Sequence, residues 1–128
     1  MRSVDIGKKR TLKGYQDLDV WKSAHKLVLK IYKLTRSYPA EEKYGLTSQM
    51  RRAVISIPAN IVEGFRKRGI KDKQNFYNIA QASLDELSYY VILSKDLGYI
   101  QDNCDITNHI EEIARMLSGL IRSTEGRK

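Results

Sequence analysis

Two prolines, eight glycines and one cysteine in 128 residues are the scarcities that say most about this chain. So few turn formers leave little room for the repeated reversals of an all-β fold. The single cysteine, Cys104, permits no intrachain disulfide and no cysteine-based metal site. Histidine is nearly as rare: His25 and His109 stand alone and fall in different helical segments. The most apolar stretch, Ala53 to Val62, runs ten residues without a charge, short of the roughly 20 a membrane-spanning helix needs. The opening residues, MRSVDIGKKR, hold no apolar run of signal-peptide length, so a cytoplasmic location is expected.

Positive charge, by contrast, is abundant and unevenly placed. Residues 1–73 hold 18 Lys and Arg against 7 Asp and Glu, whereas residues 74–128 hold 5 against 8. Together they give the net charge of +8. Such asymmetry predicts a basic surface turned toward a polyanion. Hydrophobic residues at 41% and charged residues at 30% describe a globular chain of one-domain size.

Periodicity divides the chain into a basic N-terminal arm (1–14), a helical domain (15–124) and a short basic tail (125–128). Helix one is predicted from about Leu18 to Ser37, capped by Asp17, with Leu18, Trp21, Val28, Ile31 and Tyr32 inward and Leu27 and Leu34 broadening the face. Pro39 stops it. Helix two runs from about Leu46 to Phe65 with the stripe Leu46, Met50, Val54, Ile57 and Ile61. Helix three begins near Asp72, a candidate cap, and ends at Gly98, with Phe76, Ala80, Leu84, Leu87 and Val91 on one face. Asp105 or Asp102 caps helix four, whose stripe is Ile106, Ile110, Ile113, Leu117 and Leu120. Four amphipathic segments with short connections predict an all-α, antiparallel up-and-down four-helix bundle.

Helix two carries a second stripe, Ile55, Pro58 and Val62. A helix apolar on several sides is buried on several sides, so this stripe is expected to face another subunit, with Arg51 above it as an intersubunit ion-pair partner. Pro58 removes the hydrogen bond to the Val54 carbonyl. Asn60, one turn from Ser56, is placed to satisfy the freed group or to bond across to another helix.

The phrases YQDLDVWKSAHKLVLKIYKLTRSYP, YGLTSQMRRAVISIPANIVEG and KDLGYI resemble the bacterial four-helix-bundle family of 23S rRNA intervening-sequence proteins. The likeness runs from about Tyr15 to Ser123, and SIPANIVEG (Ser56 to Gly64) with Arg51 and Arg52 is its most specific part. What the resemblance implies is a homopentameric ring with a basic surface, associated with nucleic acid, RNA before DNA, and no catalytic activity. The fold is also similar to that of accessory proteins of diversity-generating retroelements, pentamers that bind nucleic acid and a reverse transcriptase. A protein-interaction scaffold is therefore the alternative reading.

Nucleic-acid contacts are expected from three clusters and one helix position. Lys8, Lys9 and Arg10 lie on the arm. Lys22, Lys26 and Lys30 form a ridge on helix one. Arg66, Lys67, Arg68, Lys71 and Lys73 crowd the loop after helix two, where Gly69 lets the backbone approach a phosphate. Arg52 points about 100° from Arg51, toward solvent. The aromatics Trp21, Tyr32, Phe76, Tyr77, Tyr89 and Tyr90 mostly fall on or beside apolar stripes, so core packing is expected of them before base stacking. Neither histidine has a metal-ligand partner at helical spacing, and Glu111 and Glu112 beside His109 do not complete a Glu-x-x-His pair. No phosphate loop or nucleophile elbow occurs, so no cofactor, metal or enzyme activity is expected.

Overall fold

A computed structural model describes residues 14–102 and 105–126; Lys8, Lys9, Arg10 and Cys104 lie outside the described residues. Helices α1 (Asp19–Thr35), α2 (Leu46–Arg66), α3 (Ile70–Asp96) and α4 (Ile106–Glu125) follow one another, with 3-10 turns at Tyr15–Asp17 and Ala40–Glu42. The described residues contain no strand. Each helix packs on two neighbours, α1 on α2 and α4, α3 on α2 and α4, and the diagonal pairs stay apart among the described residues. Cross-helix bonds fix the antiparallel register. Ser56 Oγ lies 2.8 Å from Ser83 Oγ between α2 and α3. Between α3 and α4, Gln74 donates to Thr124 and Gln81 to Ser118, so ascending positions on one helix meet descending positions on the other.

The α2 stripe is the centre of the core: Met50, Val54, Ile57 and Ile61 are fully buried, and Leu46 nearly so. On α4, Ile106, Ile110, Ile113 and Leu117 are buried as the periodicity predicts, while Leu120 lies at the margin. The other two helices differ from expectation in part: Ala80, Leu84, Leu87 and Val91 of α3 are buried as predicted, as are Leu27 and Ile31 of α1. The buried line of α1 is Val20, Ala24, Leu27, Ile31 and Thr35, with Leu18, Trp21, Val28 and Leu34 on its flanks. Small residues at 24 and 35 set that line, because they let α1 approach closely. On α3 the buried aromatic is Tyr77, not Phe76. Gly64 decides this: a Cβ there would stand 2.4 Å from the Tyr77 ring, so the missing side chain is the space the ring occupies.

The helix ends also depart in part from the expected caps. Leu18, not Asp17, is the N-cap of α1, since the 3-10 turn takes up Asp17. Gly69 precedes α3, and Asp72 sits within its first turn. Asp105 does cap α4, but its carboxylate accepts from Lys30 Nζ at 3.0 Å instead of from its own helix. Gly98 behaves as predicted. At φ 81° it ends α3, with Gly98 N–H donating to Lys95 O and Tyr99 N–H to Ser94 O, a Schellman closure. At that end of the bundle, Tyr38 Oη donates to Ser94 at 2.7 Å, and Tyr99 Oη to Glu42 at 2.9 Å. Glu42 in turn accepts from the first α2 amide, Leu46 N–H.

Pro58 lies inside α2 without ending it. Asn60 does not reach the Val54 carbonyl; its Nδ2 donates to Ser56 O at 2.8 Å and meets Ser56 Oγ at 2.9 Å. The cross-helix bond belongs to Ser56 itself, through Ser83.

Candidate nucleic-acid interface

Which cations are free depends on what the fold places beside them. Arg52 is engaged: it bonds Glu86 on α3 and Gln49 one turn back. Tyr90 Oη donates to the same Glu86 at 2.7 Å, and this bond, followed by the Arg52 contact, holds the carboxyl below its usual range. A phosphate at Arg52 would compete with this exposed pair, and such pairs resist by only about 0–1 kcal/mol. Arg51 is engaged too. Its Nε donates to Thr35 Oγ1 at 2.9 Å and its guanidinium lies 4.5 Å from the Tyr32 ring centre, on its own α1. It also donates to Tyr32 O, an acceptor near the C-terminal end of α1. These contacts hold Arg51 within its own chain. Pro58 and Val62 are half-buried, and of that stripe only Ile55 is exposed.

The lysine ridge of α1 borders a groove of about 520 Å³ against α4. Lys22 and Lys26 are exposed along it, but Asp19, Asp105 and Glu112 line the same groove, and Lys30 is paired with Asp105. Alternating signs make this a solvated helix face more than an anion site. His109 closes its floor. The ring is buried, with Nε2 at 3.0 Å from both Ser23 O and Ser23 Oγ and Nδ1 unpartnered. Burial first, then Lys30, pushes its pKa down, favouring the neutral ring. No carboxylate orients Nδ1, so the pair with Ser23 reads as a helix clamp. His25 is exposed and stacks on Trp21, with ring centres 5.3 Å apart. Among the described residues no three metal-ligating side chains converge.

The loop after α2 is different. Residues 63–73 carry five cations against Glu63 and Asp72. Two of the five are engaged. Lys73 Nζ donates to Gly64 O at 3.1 Å and Phe65 O at 2.9 Å, neutralising carbonyls at the end of α2, and stands over the Phe65 ring. Lys67 Nζ lies 5.2 Å from the Phe76 ring centre. Arg66, Arg68 and Lys71 are exposed and have no partner among the described residues. They flank the start of α3, whose first amides have no side-chain cap. At Gly69 an added Cβ would meet nothing within 4 Å, so the backbone there is open to approach.

The family model for 23S rRNA-intervening sequence proteins matches residues 16–119, a span that takes in all of α1 to α3 and this loop. The chain belongs to that family. A crystal structure of a protein of unknown function from the S23 ribosomal protein family of Bacteroides thetaiotaomicron VPI-5482 superposes with a TM-score of 0.74. The two are 24% identical, over 80% of this chain and 95% of that one, a likeness of fold. No curated protein matches.

Sequence reasoning missed one group at this end of the molecule. Tyr15, Phe65 and Phe76 are half-buried and stand outside the core cluster; of the three, Phe76 was expected to pack inside. Their adjacency to the basic loop was the available signal: Phe65 precedes Arg66, and Phe76 follows Lys73 by three residues.

Proposed function

We propose that this family member is a non-enzymatic, homo-oligomeric bundle that associates with nucleic acid, RNA before DNA, through the α2–α3 loop end. The observation that carries the reading is the trio Arg66, Arg68 and Lys71, exposed and unpartnered beside uncapped amides of α3. Free cations and open helix-start N–H groups are what a phosphate backbone recognises. Such contacts position a polyanion without reading sequence. Repetition of the loop around an oligomer would add the contacts through effective concentration.

Self-association is supported by α3. Its outer side exposes Ile79, Tyr89, Ile92 and Leu97, between 40% and 57% accessible, beyond the face that enters the core. Several large apolar side chains exposed on one helix are a feature of subunit contacts.

The test is a fluorescence-anisotropy titration of the full chain against a structured RNA and a DNA duplex of equal length. The reading expects binding to both, tighter for RNA, and its loss when Arg66, Arg68 and Lys71 are all changed to Ala. Binding that the triple variant leaves intact would remove the loop from the interface. No binding at low salt would leave a basic scaffold whose partner is a protein.

A further inference from the structure

We infer that the loop end of the bundle takes single-stranded nucleic acid, with an unpaired base held against Tyr15 and Phe65 and its phosphates on Arg66, Arg68 and Lys71. The inference rests on the nucleic-acid reading and sharpens it to a strand class. Tyr15 comes from the 3-10 turn ahead of α1 and Phe65 from the last turn of α2. With Gly14 and Arg66 they line one open cavity of about 340 Å³, within the roughly 300–1,000 Å³ of small-ligand sites. Both rings are half-exposed, and neither belongs to the core cluster. A ring that contributes little to the core and shares a cavity wall with a free guanidinium offers a base its π-face and the adjoining phosphate its counter-charge.

The cavity is also held in shape. Lys73 fixes Phe65 from behind, bonding its carbonyl and standing 5.7 Å from its ring centre. Trp21 meets Tyr15 edge-on, ring centres 5.3 Å apart, and is itself stacked with His25. Platforms fixed before binding lose less conformational freedom on binding. A duplex cannot use this arrangement, because its bases are already stacked and paired. The lysine ridge of α1 is interrupted by Asp19, Asp105 and Glu112.

Trp21 is the single tryptophan and touches Tyr15, so its emission reports on the cavity directly. Full-length protein is titrated with a single-stranded oligouridine of about ten nucleotides, a length within the range one binding module covers, and with an RNA duplex of the same length. The single strand is expected to bind more tightly and to change Trp21 emission, and the duplex to leave emission unchanged. Tyr15→Leu should weaken single-strand binding about tenfold or more, Tyr15→Phe should retain it, and duplex binding should be the same for both. Phe65→Leu gives an independent readout if the first variant misfolds, with helical circular dichroism as the control. Single-strand binding that survives Tyr15→Leu and Phe65→Leu but not the triple Ala variant would overturn the platform and leave the phosphate contacts standing. Binding of neither RNA would overturn both.

Discussion

At the scale of single residues, Gly64 and His109 have the clearest consequences. Gly64 has no side chain because the Tyr77 ring fills the place where one would be. Tyr77 is 2% accessible, so the ring has little freedom to move aside. Gly64→Ala gains helix propensity and loses packing, and overpacking a well-filled core costs typically about 1–3 kcal/mol. Denaturant unfolding should therefore show a lower midpoint, partly recovered when Tyr77→Leu is added; an unchanged midpoint would show that the ring relocates freely. For His109 the sign follows from its environment. Burial and Lys30 lower its folded pKa, while Glu112, Asp105 and the Ser23 carbonyl oppose the shift. The unfolded chain then binds the proton more readily, so stability is full above about pH 6.5 and falls as pH drops from there toward the folded value. His109→Gln should remove that part of the acid dependence in thermal melts taken at a series of pH values. An identical profile in the variant would assign the dependence to carboxylates such as Glu86 and Asp105, whose own folded pKa values are lowered.

At the scale of elements, α2, α4 and most of the α3 face (Ala80, Leu84, Leu87 and Val91) were legible in the sequence, whereas the register of α1 and the start of α3 were not. The stripes of α2 and α4 consist of large aliphatic residues, which periodicity finds directly. The buried lines of α1 and α3 pass through Ala24, Thr35, Ser83 and Ser94, small or polar positions that carry no hydrophobic signal. Their burial depends on partners in other helices, such as Tyr38 for Ser94 and Ser56 for Ser83. The basic loop was legible as a cluster of charge. That Arg52 is engaged was not, since Glu86 lies 34 residues away along the chain. The second apolar face was expected on α2, where Ile55 is exposed; α3 exposes Ile70, Ile79, Tyr89 and Ile92 as well. Changing Tyr89 and Ile92 to Glu should lower the solution mass toward that of one chain, measured by light scattering, with helix content kept. An unchanged mass would place the subunit contact elsewhere, with the α2 stripe around Ile55 the next surface to alter.

At the scale of the whole molecule, cations stand at both ends of the bundle but are densest at one. Arg66, Arg68 and Lys71 lie at the end formed by the start of α1 and the close of α2, while at the opposite end the exposed Lys33, Arg36 and Lys43 share the surface with Glu41, Asp96 and Asp102. Counterion release turns this into a number. Three neutralised phosphates give log K against log salt a slope of about −3 on a duplex and about −2 on a single strand for each copy engaged. A titration across salt concentrations should return a steeper slope in proportion to the copies that bind together. A flat dependence would remove the electrostatic account altogether.

The hydroxyl links at the far end have one more consequence. Tyr38 joins the segment after α1 to α3, and Tyr99 joins the segment after α3 to the turn before α2, so both links must part before the helix ends they tie can fray. Amide hydrogens near Ser94 and Leu46 should exchange with solvent slowly, at rates set by global opening, and those near Lys67 to Asp72 quickly, through local opening. The molecule would then breathe from one end only, and that end is the one that carries Arg66, Arg68 and Lys71.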